Sequence, residues 1–382
     1  MEKIETFGEE CWVVGGCVRD SLMEKQPSDW DMTTSASPEK MLEIFSGERL
    51  ILSGISHGTV AVIRPGGVYE ITTYRIETGS SDHRHPDQVS FTKNIREDLS
   101  RRDFTVNAMA YHPERGLLDC FGGQKDIQRK IIRCVGGPQR RFEEDALRIL
   151  RALRFASTLD FSLEDETILG AEEKAFLLKN ISAERILTEL TKLLNGKEPR
   201  RSLSLCPRVW GEILPELQNL PQDAEGISQL PEDAFLRLIW LYHREALGAA
   251  DALQRLKAPR AQQDRAKSLF ILDSETPSSA AELRHAMHRF GEDVTEDYIL
   301  LTENKYLPQL KEARNGIWQI SQLSIHGEDL MDKGFPKGKL LGDTLSYLLN
   351  LCMEDKALNN PCSLWEKAEE FRKKFLSKNQ NN

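Results

Sequence analysis

The sequence predicts an α+β protein in which a strand-rich first third is followed by a helical remainder. Short apolar and alternating runs, punctuated by Gly turns, fill residues 10–135, as half-buried strands require. From residue 160 onward the apolar residues recur at helical spacing instead, so each segment buries one stripe. A length of 382 residues allows two or three domains.

The first strand is expected at Trp12-Val13-Val14, running through Gly15-Gly16 into a short helix over 18–23. Backbone N–H groups at a Gly turn that enters a helix suit phosphate oxygens, because unpaired donors and the helix dipole both attract an anion. Arg19, one turn in, reaches the same phosphates. A loop leads to a strand carrying Asp29 and Asp31. Residues i and i+2 of a strand point to one face. Two carboxylates on one face near a phosphate cradle make a site for a divalent metal and a nucleoside triphosphate.

Ser37 caps a helix that starts at Pro38 and ends near Gly47. Residues 58–63 and 68–74, joined by Pro65-Gly66-Gly67, read as a hairpin. Glu70 in its second strand is the candidate third carboxylate, if that strand pairs beside Asp29 and Asp31; the alternative is a solvated strand residue. Residues 78–87 are polar with Gly and Pro and read as a loop of the kind that moves over a site. His83 and His85 there read as solvated side chains before metal ligands.

Arg101-Arg102-Asp103 offers donors for phosphate or base and an acceptor for ribose hydroxyls; a salt-bridged helix start is the alternative. A strand at 117–119, a Gly122-Gly123 turn and a short helix with an edge strand over 126–135 close this part. The next informative stretch is a helix over 143–156. Ala146, Ile149, Leu150, Leu153 and Ala156 fall on one arc, and Arg148, Arg151 and Arg154 on another, with Asp145 one turn before Arg148. One face packs inward and the other presents guanidinium groups in a row; a solvated, salt-bridged face is the alternative. Ile186, Leu187, Leu190, Leu193 and Leu194 form a further stripe that stops at Gly196, and Phe235 to Tyr242 suggests a buried helix.

Composition is that of a globular protein, 40% hydrophobic and 29% charged. No apolar run is long enough for a membrane span, and Met1-Glu2-Lys3-Ile4-Glu5 has no signal-peptide pattern, so a cytoplasmic protein without membrane partner is expected. Seven scattered cysteines without a CxxC pair read as reduced thiols. The net charge of −9 argues mildly against nucleic acid. From Lys93 to Arg154, however, 14 Lys/Arg stand against 9 Asp/Glu, a local excess of +5, and a phosphate-binding surface needs only a local positive field.

Together, Gly15-Gly16-x-Val18-Arg19-Asp20, Asp29-x-Asp31, Glu70-x-Thr72-Thr73-x-Arg75, Arg101-Arg102-Asp103-Phe104-Thr105-x-Asn107-Ala108-x-Ala110 and Glu144-Asp145-x-x-Arg148 resemble, in order, the class II tRNA nucleotidyltransferases, the CCA-adding enzymes. The likeness is strong over residues 10–157 and looser near the end, at Gly327-Glu328-Asp329-Leu330 and from Leu341-Gly342 to Asn359-Asn360, which look like the tail of the short bacterial members. It implies a mixed-sheet nucleotidyltransferase head over 1–139, a helical neck with the base-reading helix over 140–197, a helical body over 198–300 and a helical tail over 301–382.

The resemblance also implies roles. Gly16 and Arg19 hold the triphosphate, Asp29 and Asp31 bind Mg²⁺, and Glu70 is the third catalytic carboxylate. Arg102 contacts the nucleotide and Asp103 its ribose. Asp145 and Arg148 read the base; Arg151 and Arg154 bind the nucleotide phosphate or its surroundings. The substrates would be CTP, ATP and the acceptor end of tRNA, with pyrophosphate released, and a homodimer is compatible with the chain. C and A each present an amino donor beside a ring-nitrogen acceptor, whereas G and U present the reverse, so an Asp acceptor beside an Arg donor accepts the first pair and mismatches the second.

The alternatives are a CC-adding or A-adding partial enzyme, a poly(A) polymerase, and a non-catalytic RNA-binding protein. Ser56-His57-Gly58-Thr59-Val60 stands where poly(A) polymerases of the superfamily usually carry Arg-Arg-Phe. The loop over 76–88 with Arg84 favours full CCA addition, and the intact Asp29, Asp31 and Glu70 argue against the binding-only reading. No His-Asp constellation in the helical half suggests a fused phosphohydrolase.

Overall fold

A computed structural model of the chain describes residues 1–78, 88–217, 225–242 and 246–380. The readings of His83, Arg84 and His85 therefore lie outside the described residues. The helical turn α1 (Glu2–Glu5) precedes β1 (Cys11–Val14), α2 (Gly16–Leu22), β2 (Asp31–Thr34), α3 (Pro38–Ile44), β3 (Arg49–Ile51), β4 (Thr59–Arg64) and β5 (Gly67–Thr73). Then come β6 (Arg75–Thr78), β7 (Gln88–Phe91), α4 (Ile95–Ser100), β8 (Met109–His112), β9 (Gly116–Asp119), α5 (Gly123–Arg129) and β10 (Ile131–Ile132).

Seven strands form one mixed sheet in the order β3-β4-β5-β2-β1-β8-β9. The expected hairpin is β4–β5, antiparallel from Thr59↔Thr72 to Arg64↔Gly67. Its second strand pairs in parallel with β2, which is antiparallel to β1. Register places Thr33 beside Trp12 and Thr72, so Asp31, Thr33, Glu70 and Thr72 share one face. Met32 and Ile71 point the other way, where Ile71 packs with Met41, Ile44 and Phe45 around α3. Ser37 caps that helix as expected, its Oγ accepting Lys40 N–H at 3.2 Å.

Three expectations change. The aspartate strand begins at Asp31, so Asp29 comes from the incoming loop. The strand after α5 does not edge the main sheet: Ile131 and Ile132 pair in parallel with β11 (Ser162–Leu163), because the following helices bring residue 162 back to it. The helix expected over 143–156 is two helices, α6 (Pro138–Glu144) and α7 (Leu147–Leu159), broken at Asp145 with φ −150° and ψ 105°. The apolar arc of α7 holds, with Ile149, Leu150, Leu153 and Ala156 buried.

The chain continues through α8 (Asp165–Lys174) and α9 (Ala183–Leu194). On α9 the stripe buries Ile186, Leu190, Leu193 and Leu194. Chain contacts divide the protein into two compact units, Met1–Leu241 with Arg255–Ala258, and Tyr242–Gln254 with Pro259–Asn382. The second is helical; its core gathers Leu330, Leu348, Leu349, Cys352, Met353 and Leu364. All seven cysteines are free. Among the described residues no helix is long and apolar enough to cross a membrane.

Candidate active site

The chain leaves β1 at Gly15, whose φ of 84° and ψ of −135° favour glycine. A β-carbon on Gly15 would stand 2.9 Å from Arg102 Nη1, and one on Gly16 3.6 Å from Arg19 Nη2. Two guanidinium groups thus lie over the turn. Gly15→Ala is expected to strain the backbone by about 1–3 kcal/mol and to displace Arg102, raising the nucleotide KM about tenfold. Steady-state kinetics beside a melting curve checks both parts.

Asp31 and Glu70 are direct neighbours in the β2–β5 register, and Asp29 lies two residues upstream. All three carboxylates are exposed. Partial desolvation, then the charges of Asp29 and Glu70, push the Asp31 carboxyl above its ordinary range, while Arg102 draws it down. Among the described residues no three His, Cys, Asp or Glu side chains are gathered tightly enough to chelate a metal. The donor chemistry nevertheless fits a hard divalent cation: the set is oxygen-only, and its mutual repulsion is what a cation relieves.

Arg102 is held from below by Asp98, which is fully buried. Asp98 also takes Arg101 Nε at 3.0 Å, Arg75 N at 3.3 Å and Thr33 Oγ1 at 3.4 Å, with Arg102 Nη2 at 3.6 Å. Burial lowers the Arg102 pKa, and Asp98 opposes this most. Arg102 Nε is buried without a hydrogen-bond partner. Such an orphan donor is costly in a finished core, and it leaves Arg102 with bonding capacity to spend.

Asp103 has its acceptor positions filled. Oδ1 accepts Phe104 N at 2.8 Å and Asn107 Nδ2 at 3.2 Å; Oδ2 accepts Arg151 Nε at 2.9 Å and Nη2 at 2.6 Å. Burial alone would raise the carboxyl, but the Arg151 charge, its hydrogen bonds and that of Asn107 hold it down at about 2. Its tie to the site thus runs through Arg151.

Arg19 donates to Asn107 Oδ1 at 2.6 Å and to Asp20 Oδ1 at 2.8 Å. Its guanidinium stands 5.3 Å from the centre of the Phe155 ring, with Arg151 at 5.4 Å and Arg154 at 4.0 Å from the same centre. Three cations around one ring are attracted to its π face but repel one another. Burial, then Arg151, then Arg19 push the Arg154 pKa down to about 10, against the opposing pull of Glu189 and Asp103. Glu189, buried on α9, lies 3.0 Å from Arg154 Nε. Such a half-buried cluster is stabilised by an added anion.

At the helix break, Asp145 Oδ1 accepts Leu147 N–H at 3.1 Å and Oδ2 meets Arg185 Nη2 at 3.3 Å. Arg148 donates through Nη1 to Glu144 Oε2 at 2.9 Å and to the Arg141 carbonyl at 3.2 Å, and through Nη2 to the Arg101 carbonyl at 3.2 Å. Of five guanidinium donors, Nε–H and one Nη2–H remain for a ligand.

The structure therefore brings two groups together: Gly15, Gly16, Asp31, Glu70 and Arg102 at the turn, and Arg19, Asp103, Arg151 and Arg154 about Phe155. Asp145 and Arg148 sit at the start of α7. Sequence reasoning missed Asp98, Asn107, Phe155, Arg185 and Glu189 as supports. Glu189 was the most findable, because it falls within the apolar arc of α9, where an unpaired carboxylate would not persist.

A seven-stranded mixed sheet with paired carboxylates on one face and an arginine cluster from the helices that follow defines a polymerase-type nucleotidyltransferase. Residues 11–133 match the Poly A polymerase head domain family, and residues 160–206 match the family described as the probable RNA and SrmB-binding site of polymerase A. Within that class the chain belongs to the CCA-adding enzymes. It is 48% identical to a CCA-adding enzyme of Lactobacillus delbrueckii subsp. bulgaricus, covering 96% of this chain and 95% of the relative. With a CCA-adding enzyme of Pediococcus pentosaceus it shares 35% identity over 98% and 97% of the two chains. Among solved structures, the Bacillus stearothermophilus CCA-adding enzyme in complex with CTP is similar at a TM-score of 0.74 and 28% identity, covering 100% of this chain and 97% of that one.

Proposed function

We propose that the chain adds C, C and A without a nucleic-acid template to the 3′ end of tRNA, using CTP and ATP. In each step the 3′-hydroxyl oxygen of the RNA attacks the α-phosphorus. The new P–O bond forms as the bond to the β-phosphate oxygen breaks; the hydroxyl proton is released and pyrophosphate departs. The observation that carries this reading is the convergence of Arg19, Arg151 and Arg154 on Phe155, a cation cluster suited to a triphosphate, in the unit that pairs Asp31 with Glu70.

Asp29, Asp31 and Glu70 are assigned to a divalent cation, taken here as Mg²⁺. When bound, that ion supplies Lewis acidity to the attacking and leaving oxygens. Gly16, Arg19 and Arg102 bind the triphosphate, with Arg151 and Arg154 behind them. A ribose hydroxyl that reaches Asp103 exchanges for one of the bonds filling that carboxylate. Asp145 accepts the amino group of C or A, and a free Arg148 donor meets the ring nitrogen. The division into head (1–139), neck (140–197), body (198–300) and tail (301–382) is retained as a division of labour, and seven free thiols support a reducing cytoplasmic setting.

The test is incorporation of labelled CTP and ATP, separately and together, into a tRNA transcript lacking its 3′ end. Two C additions from CTP, followed by one A only when ATP is present, are expected. Arrest at CC, or a long A tail, overturns this reading in favour of a partial enzyme or a poly(A) polymerase; no incorporation favours a binding protein.

A further inference from the structure

We propose that Arg185, on the neck helix α9, is a specificity-determining positioning residue that keeps Asp145 available to the incoming base; this rests on the base-reading role given to Asp145 above. Asp145 and Arg148 are opposite charges one helical turn apart, the spacing at which such side chains pair with each other. Collapsed into an ion pair, they would satisfy one another and present no template. Each is instead held by its own counter-ion. Glu144 takes Arg148 at 2.9 Å, and Arg185 takes Asp145 at 3.3 Å from a helix 40 residues away in sequence.

The geometry of Asp145 explains why it needs this hold. It sits at the break between α6 and α7 on extended backbone, outside either helix. One oxygen is fixed by the Leu147 N–H, which alone leaves the second oxygen free to swing. The positive field of Arg151 also acts on this carboxylate. Arg185 gives the second oxygen a counter-ion that is neither Arg148 nor Arg151. A carboxylate oxygen has two acceptor positions, so each oxygen still offers one to an amino group. Arg185 keeps its Nη1 buried without a hydrogen-bond partner. That is a poor arrangement for stability alone, and it is accounted for if the residue is placed there for Asp145.

One turn on, α9 carries Glu189 against Arg154 and Arg151 at 3.0 and 3.9 Å. The helix thus sets a cation behind the base acceptor and an anion behind the phosphate donors. The two residues should then affect different quantities: Arg185 the choice among nucleotides, Glu189 the binding of all four alike.

The experiment measures kcat/KM for CTP, ATP, GTP and UTP on a tRNA lacking CCA, for wild type, Arg185→Met, Arg185→Lys, Asp145→Asn and the Arg185→Met/Asp145→Asn double variant, with melting curves alongside. Arg185→Met is expected to reduce CTP-over-UTP and ATP-over-GTP selectivity about tenfold, the scale of coupling between contacting residues. Arg185→Lys should restore most of it, and the double variant should be no less selective than Asp145→Asn. If Arg185→Met does not fold, Arg185→Gln replaces it. Equal loss on all four nucleotides in the Arg185 variant, beside a relaxed Asp145→Asn, overturns the proposal alone. Unchanged selectivity in Asp145→Asn overturns the base-reading role and the proposal with it.

Discussion

Asp31→Ala is expected to lower kcat/KM for both CTP and ATP by about 10³-fold or more, the loss of several kcal/mol of transition-state stabilisation that bound metal supplies. The same substitution should leave the melting temperature unchanged or slightly raised. Asp31 is exposed, and its carboxyl is raised by partial burial and by repulsion from Asp29 and Glu70. Removing one of three crowded negative charges relieves that repulsion, the trade between stability and activity expected of a catalytic cluster. A structural carboxylate behaves oppositely: its loss costs stability and spares turnover. Incorporation kinetics and thermal melts on one preparation separate the two. Retention of more than a tenth of the activity would place the chemistry elsewhere.

The parts of this site that sequence makes legible are those tied to local chemistry. Two closely spaced aspartates, a Gly turn and an Arg-Arg-Asp run are weak signals singly, and their combination at this spacing is what marks a candidate site. The Glu70 position was readable at one remove. A hairpin is a strong local signal, and the parallel pairing of its second strand with the aspartate strand then puts Asp31 opposite Glu70. What sequence does not disclose is long-range support. Nothing local says that Asp98 props Arg102 or that Asn107 bridges Arg19 and Asp103. The same limit explains the helix over 143–156. Its apolar period is continuous in sequence, but Asp145 takes the Leu147 N–H onto its own side chain, and that local competition with the helix ladder breaks it. The break is also what frees the Asp145 carboxylate from a helical face.

The largest stability effect is expected at Asp103. Its carboxylate is buried and forms a two-point ion pair with Arg151, and removing one member of such a pair leaves a charge without its partner. Arg151 keeps some exposure, 32% of its side chain, so the cost of Asp103→Asn is placed at about 2–3 kcal/mol, below the 3–5 kcal/mol of a fully buried pair. Turnover should fall as well, because Arg151 loses the bonds that aim it beside Phe155. The sign of the pH dependence follows from the carboxyl being held at about 2 against an ordinary value of 3.8. A carboxyl lowered by folding adds stability above its unfolded value, and that stability is lost as pH falls through its folded value. Urea unfolding of wild type and Asp103→Asn should therefore differ by a constant amount above about pH 5. The gap should narrow by about 2 kcal/mol as the pH falls toward 2. A gap that persists undiminished at pH 2 would mean that the buried hydrogen bonds of Asp103, and not its charge, hold the neck helix to the head.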